Sequence, residues 1–222
     1  MVRSNSPNPV QTPKSTHAAK VLKTFSVSAF NSSLARYGGD VAVGAMTILS
    51  SISQLQNMPA SGLTQGAQPI ISFNYGARNV DRVKKTFKIL VILAMSYGFL
   101  FWLAIELVPG FFVQIFNSSS PELYDAACWM LRVYMATSCF FIAQNPIQNT
   151  FMGLGQAKIS LFIACLRKLI LLIPLIYILP CFLENKVLAV ILAEPLADLG
   201  SVTCASILFA LNINKILAKP VE

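Results

Sequence analysis

The sequence predicts an all-α integral membrane protein: a bundle of five full transmembrane helices plus a short N-terminal helix. Of its 222 residues, 55% are hydrophobic and only 12% are charged, whereas a typical soluble domain is about a quarter charged. The apolar residues also fall in long runs separated by short polar segments. Because so few charges cannot cover a water-facing surface, the expected surroundings of the chain are the lipid bilayer.

The chain opens on a polar stretch rich in Pro, Ser, Asn and Thr, and residues 1–20 therefore predict a disordered tail. Residues 21–217 form the predicted transmembrane helical bundle. Its first part, Val21–Leu34, is moderately apolar but shorter than the ~20 residues of a span, so we predict a short or tilted helix. The pattern leaves open whether this helix crosses the membrane. Arg36–Asp40 contains two adjacent glycines and predicts a turn.

Five longer apolar segments follow, each long enough to cross a hydrocarbon core of ~30 Å. They run from about Val41 to Tyr75, Lys85 to Phe116, Glu122 to Met152, Ile159 to Phe182 and Lys186 to Leu217. The connections between them are rich in Gly, Asn and Ser, which favour turns and helix ends.

The net charge of +8 comes from short cationic segments between apolar runs. No basic face with interleaved aromatic residues is present in the sequence, so nucleic acid is not an expected partner. Five cations lie between the first two long segments, at Arg78, Arg82, Lys84, Lys85 and Lys88. The charged residues around the next connection are both acidic, Glu122 and Asp125. By the positive-inside rule the Arg78–Lys88 loop and the C-terminus are cytoplasmic.

Catalytic chemistry is not indicated by the residue pattern. The five cysteines are scattered singly, and the one histidine, His17, lies in the polar tail. Without a CxxC, Cys/His or Walker pattern, the sequence predicts no catalytic residues, no metal site and no cofactor. An intramembrane enzyme is therefore the least favoured class.

The segment Gly62–Asn79, GLTQGAQPIISFNYGARN, resembles the second half of bacterial transporters of the multidrug and toxic compound extrusion (MATE) family. Their pattern there is GxxQGxQPIxxxNYGA. Weaker matches are Ala35–Asp40, Phe151–Ala157 and Ala193–Asp198, and the resemblance covers residues 34–214. It implies one six-helix lobe, the C-terminal one, of a twelve-helix transporter in the cell membrane. The partner of this lobe would be a missing N-terminal lobe or a second copy.

The resemblance further implies multidrug efflux by a cation-coupled antiporter. Protons or sodium ions would drive the export of drugs or small amphipathic organic cations. A flippase of lipid-linked precursors from the same superfamily is an alternative, although such proteins line their cavity with several cations and this chain offers mainly Arg167 and Lys168. A non-transporting membrane fragment is a third interpretation.

Three ionisable residues in apolar segments, Arg167, Glu194 and Asp198, are candidates for a coupling-ion or charge cluster, because an ionised side chain in hydrocarbon is costly. Glu194 and Asp198 are four residues apart and share one helix face. At a rise of 1.5 Å per residue they lie ~12 and ~18 Å from the outer end of their helix, and Arg167 lies ~12 Å from the opposite end of its own. Two hypotheses stay open: a cluster that protonation rearranges, and a fixed structural ion pair.

Six amide side chains are candidates for a substrate cavity, because amides orient amphipathic cations without adding a charge. They are Gln65, Gln68, Asn74, Gln144, Asn145 and Gln148. Hydrogen bonding between helices is the alternative role. Five glycines, Gly62, Gly66, Gly76, Gly153 and Gly155, predict a close approach of neighbouring helices or turns.

Overall fold

The computed structural model describes residues 13–116 and 120–218, and this part of the chain consists of helices joined by short connections. The helices are α1 (Pro13–Gly76), α2 (Val80–Leu107), α3 (Pro109–Phe116), α4 (Pro121–Met135), α5 (Ser138–Ile142), α6 (Gln144–Gly153), α7 (Ala157–Cys165), a π-helix (Leu166–Leu172), α8 (Ile173–Phe182) and α9 (Lys186–Ala218). The prediction of an all-α protein is thus confirmed for the described residues.

Helix α1 begins at Pro13, well before the helix start predicted at Val21. Proline suits the first turn of a helix because its φ is already helical and its missing N–H is not needed there. The alanines that follow are strong helix formers. The disordered tail predicted for residues 1–20 is therefore corrected from Pro13 onwards, and residues 1–12 lie outside the described residues.

Gly39 divides α1 into two arms. Its backbone has φ 62° and ψ −159°, a conformation that glycine adopts without a steric penalty. The turn predicted at Arg36–Asp40 is thus a kink, since the chain returns to helix immediately after it. We call residues 13–38 the N-terminal arm of α1 and residues 40–76 its C-terminal arm.

The breaks predicted between the long segments coincide with helix ends in the described chain, but three of the segments are themselves interrupted. The second breaks before Pro109, which cannot continue the hydrogen-bond ladder of α2. The third bends by 52° between α4 and the α5–α6 stretch. The fourth passes through the π-helix just before Pro174. Length and apolar composition alone do not reveal these interruptions.

Three helical stretches of the described chain are long and apolar enough to cross a membrane: Val80–Leu107, Lys158–Phe182 and Lys186–Leu217. The bent pair of α4 and α5–α6 would be a fourth span. Neither arm of α1 is among them, which agrees with the many polar side chains of this helix. The count of five full spans plus a short helix stays a prediction.

Helix α1 is the centre of the bundle and contacts α2, α4, α6 and α9. One apolar core surrounds the first half of its C-terminal arm, where Leu49 packs with Leu131 of α4 and Ile191 of α9. A second core lies near its end, where Ile71 packs with Phe151 of α6. Many large apolar side chains face outward, as expected for helices that contact lipid.

The glycines predicted to allow close helix packing differ in their surroundings. No described atom outside the local helix backbone lies within 4 Å of a Cβ built on Gly62 or Gly66, so the prediction for these two is wrong. They lie on an open face of α1. Gly153 of α6 does approach α1, since an added Cβ would lie 3.3 Å from Ile71 Cγ2, and Gly155 has a φ of 76° in the turn after α6. Gly98 of α2 has a still closer contact: an added Cβ would lie 2.8 Å from Ile142 Cδ1 and 3.1 Å from Ile142 Cβ.

We expect Gly98→Ala to destabilise the bundle by about 1–3 kcal/mol, the usual cost of overpacking a close contact. Gly62→Ala is the matched control, because its new methyl group meets open space and alanine favours helix by up to about 1 kcal/mol. Thermal unfolding in detergent measures both. A Gly98→Ala protein as stable as the control would contradict the packing of α2 on α5.

Candidate functional site

The three ionisable residues predicted to form a cluster meet in the structure. Arg167 Nη2 donates a hydrogen bond to Glu194 Oε1 at 2.7 Å, and Arg167 Nε donates to Asp198 Oδ1 at 2.6 Å. Only 13%, 10% and 8% of the side chains of Arg167, Glu194 and Asp198 are exposed. One guanidinium thus bridges two largely buried carboxylates that lie one turn apart on α9.

The local structure of both helices departs from a regular α-helix at this point. Arg167 lies in the π-helix, where the N–H of Ile173 donates to the carbonyl of Lys168, five residues earlier. Such π turns within helices are frequent at functional sites. On α9, Pro195 lies between the two acids and removes one backbone donor. The Pro195 carbonyl accepts a hydrogen bond from Thr137 Oγ1 at 3.3 Å, which ties the break between α4 and α5 to this turn.

An aromatic side chain also holds the guanidinium. Arg167 Cζ lies 4.1 Å from the centroid of the Phe141 ring of α5, within the range of a cation–π interaction. Arg167 therefore contacts α9 through two ion pairs and α5 through an aromatic face. Its position depends on the mutual packing of three elements that are distant in sequence.

A cavity of about 700 Å³ opens beside this cluster, within the usual size of sites for small molecules. Arg167, Lys168, Glu194 and Asp198 supply its charged wall. The aromatic and sulfur-containing lining residues are Phe30, Met46, Tyr134, Met135 and Phe141. The uncharged polar lining residues are Ser26, Asn31, Thr47, Ser50, Ser53, Gln54, Gln56, Asn57, Ser61 and Ser138. The site thus combines paired charges, aromatic faces and a hydroxyl- and amide-rich wall.

The six amide residues predicted to line a substrate cavity do not line this one. Gln144 is buried and accepts a hydrogen bond from Ser201 Oγ of α9 at 3.0 Å, the interhelical role that was the alternative. Asn74 donates to the carbonyl of Ile70 at 2.8 Å.

The remaining four amides lie further along the bundle. Gln65 is exposed, and Gln68, Asn145 and Gln148 are half-buried. Gln65 and Gln68 follow the last cavity-lining residue of α1, Ser61, and Asn145 and Gln148 lie on α6.

Sequence reasoning missed the serines and Asn57 that form much of the cavity wall. Serine is common in membrane helices and carries little signal on its own. The usable signal was spacing: Thr47, Ser50, Gln54, Asn57 and Ser61 recur every three or four residues, which places them on one face of α1.

A helical membrane bundle with buried ionisable groups beside a ligand-sized polar cavity is typical of a transporter. The MatE family model matches residues 18–178, which is well over half of the chain. The chain therefore belongs to the MatE family of membrane transporters, and the family resemblance noted in the sequence is confirmed.

Curated relatives agree with this assignment. The chain is 29% identical over 124 residues to the multidrug export protein MepA of Staphylococcus haemolyticus, a match that covers 56% of this chain and 26% of the relative. It is 26% identical over 190 residues to MepA of Staphylococcus aureus strain N315, which covers 82% of this chain and 40% of the relative. The chain spans less than half the length of these relatives.

Solved structures show the same fold. A multidrug resistance MATE family transporter in an outward-facing conformation superposes with a TM-score of 0.81 at 17% identity, covering 99% of this chain and 50% of that one. The MATE multidrug transporter DinF-BH gives a TM-score of 0.77 at 26% identity, covering 92% and 45%. The described bundle thus corresponds to about half of a MATE transporter.

The bridging geometry predicts that removing Arg167 costs more folding stability when Glu194 and Asp198 are present than when both are neutralised. Arg167→Met leaves two buried carboxylates without their cation, so we expect a loss of about 3–5 kcal/mol of stability. In the Glu194→Gln/Asp198→Asn background the same substitution leaves no buried carboxylate at this site, and we expect a clearly smaller loss. Denaturant or thermal unfolding of the four proteins measures the difference, and equal losses in both backgrounds would contradict the bridge.

Proposed function

We propose that the chain is one lobe of a cation-coupled antiporter that exports drugs or organic cations across the cell membrane. The observation that carries this proposal is Arg167, which bridges Glu194 and Asp198 in the wall of a cavity of about 700 Å³. A transporter needs a coupling group that responds to an ion and a space that holds its substrate, and here the two share a wall.

Coupling follows from the geometry of the bridge, in which two carboxylates share one guanidinium. A proton on either carboxylate removes the charge that the guanidinium pairs with there, so Arg167 is then held by the other acid alone. Because the bridge joins the π-helix to α9, this change alters the contact between the two helices. Sodium would act differently, by coordination to a carboxylate oxygen, and the proposal includes both ions.

The cavity lining supports amphipathic substrates. Aromatic faces such as Phe30 and Phe141 suit flat apolar groups and organic cations, and the hydroxyl and amide wall orients polar groups. The names of the relatives, which describe multidrug export and a multidrug transporter, point the same way. The lipid-flippase alternative is less favoured, since Arg167 is already engaged by two carboxylates and is poorly placed to hold a phosphate.

The other half of the pathway lies outside this lobe. The chain covers 50% of a solved transporter, so a missing N-terminal lobe or a second copy would complete the cavity in this proposal. In this proposal the C-terminus lies in the cytoplasm, which the cations of the Arg78–Lys88 loop favour. Transport, rather than catalysis, is the activity proposed.

We expect proteoliposomes that contain the chain to accumulate the fluorescent cation rhodamine 6G when the lumen is acidic, because protons that leave would drive the dye inward. Asp198→Asn should reduce this pH-driven uptake at least tenfold by removing the titratable partner of Arg167. Asp81→Asn, at an exposed acid in the first turn of α2, is the matched control and should transport normally. Dye fluorescence measures uptake.

Equal uptake by Asp198→Asn and wild type would rule out a coupling role for the bridge. The non-transporting alternative has its own outcome. No uptake by the wild-type chain, either alone or co-expressed with the N-terminal half of a MepA relative, would favour a membrane fragment without transport activity.

A further inference from the structure

A stripe of polar side chains continues from the cavity along the C-terminal arm of α1. We call it the polar stripe, and its members are Gln54, Asn57, Ser61, Gln65, Gln68 and Ser72. They recur every three or four residues and so share one helix face. Eighteen residues separate the ends, a distance of ~27 Å at 1.5 Å per residue. The first three line the cavity, and the last three extend beyond it towards the helix end at Gly76.

Helices α5 and α6 run beside the polar stripe in the same direction as α1. Gln56 Nε2 donates to Ser138 Oγ at 3.3 Å, and Asn149 Nδ2 donates to Thr64 Oγ1 at 3.1 Å. Near the end of both helices Ser72 Oγ donates to the Gly153 carbonyl at 2.9 Å. One edge of the stripe is thus bordered first by α5 and then by α6.

Buried polar atoms without a partner occur along this border. Asn145 Nδ2 and Thr150 Oγ1 of α6 make no hydrogen bond to the described residues. By the parallel register, Asn145 lies between the contacts of Ser138 and Asn149, beside the part of α1 where the cavity ends. A buried polar atom left unpaired costs about 1–3 kcal/mol, so such atoms normally bind water.

The opposite face of the same arm is apolar and outward-facing. Leu63 is 37% exposed and Ile70 is 50% exposed, as suits contact with lipid. Lipid chains cannot satisfy hydrogen-bonding groups, so the stripe needs other surroundings. Its half-buried members, the unpaired atoms beside it and its continuity with the cavity all fit water.

We propose that a hydrated path follows the polar stripe from the cavity to the end of α1 at Gly76. The path gives water and small hydrophilic solutes access to the wall that holds Glu194 and Asp198. What passes along it rests on the proposed function: in a proton-coupled transporter it is the route by which protons reach the carboxylates. The presence of water along the stripe does not depend on transport.

Substituted-cysteine accessibility in proteoliposomes tests the path. Gln65→Cys and Gln68→Cys are treated with a membrane-impermeant, positively charged methanethiosulfonate added to both sides, and peptide mass spectrometry separates their labelling from that of native cysteines. Leu63→Cys and Ile70→Cys are the matched controls on the lipid-facing side of the same helix segment. We expect the stripe positions to react at least tenfold faster than the controls.

Stripe positions that react no faster than the controls would overturn the path, and unreactive stripe positions would indicate that protein covers this face. Because each variant carries one mild surface substitution, elution as a monodisperse species verifies folding before labelling. The result separates cleanly from the transport assay. Reactive stripe positions in a chain that takes up no dye, either alone or with the N-terminal half of a MepA relative, would uphold the path and reject the proposed function. Unreactive stripe positions in a chain that takes up dye would reject the path and uphold the proposed function.

Discussion

The ion bridge from Arg167 to Glu194 and Asp198 is the constraint on which the centre of this bundle depends. Ionised groups inside a membrane protein are costly, and removing one partner of a buried pair leaves the other uncompensated. The bridge is satisfied only if the π-helix and α9 meet at one depth and in one rotation. Phe141 and Thr137 add contacts from the segment that follows α4, so three segments distant in sequence converge on this point.

The backbone around the bridge is irregular in all three segments that meet there. The π-helix, the proline turn of α9 and the break between α4 and α5 all lie beside the cavity rather than at the ends of the bundle. Irregular backbone at membrane depth is tolerated where it is buried in protein or lines a polar cavity. Helices interrupted in this way are also easier to rearrange than continuous ones, which suits the proposed role in transport.

The polar face of α1 links the charged wall to the rest of the molecule. Its hydroxyls and amides line the cavity and continue beyond it, whereas Gly62, Gly66 and apolar side chains such as Leu63 and Ile70 turn outward. One helix thereby carries an outward-facing apolar side and a polar side that borders the cavity. This division explains why α1 is too polar to be recognised as a span by composition and yet occupies the centre of the bundle.

The sequence by itself determined the membrane class, the family and the positions of the main breaks, because apolar runs, turn residues and the Gly62–Asn79 motif are local features. The meeting of Arg167 with Glu194 and Asp198 could also be predicted from the sequence, since opposite charges at similar depth attract. Only the tertiary structure decided that serines and Asn57 line the cavity. It also decided that Gln144 lies elsewhere, where it accepts a hydrogen bond from Ser201. Whether a polar side chain faces a neighbour, a cavity or lipid depends on helix rotation and on interruptions such as the bend after α4, and these are set by contacts between distant segments.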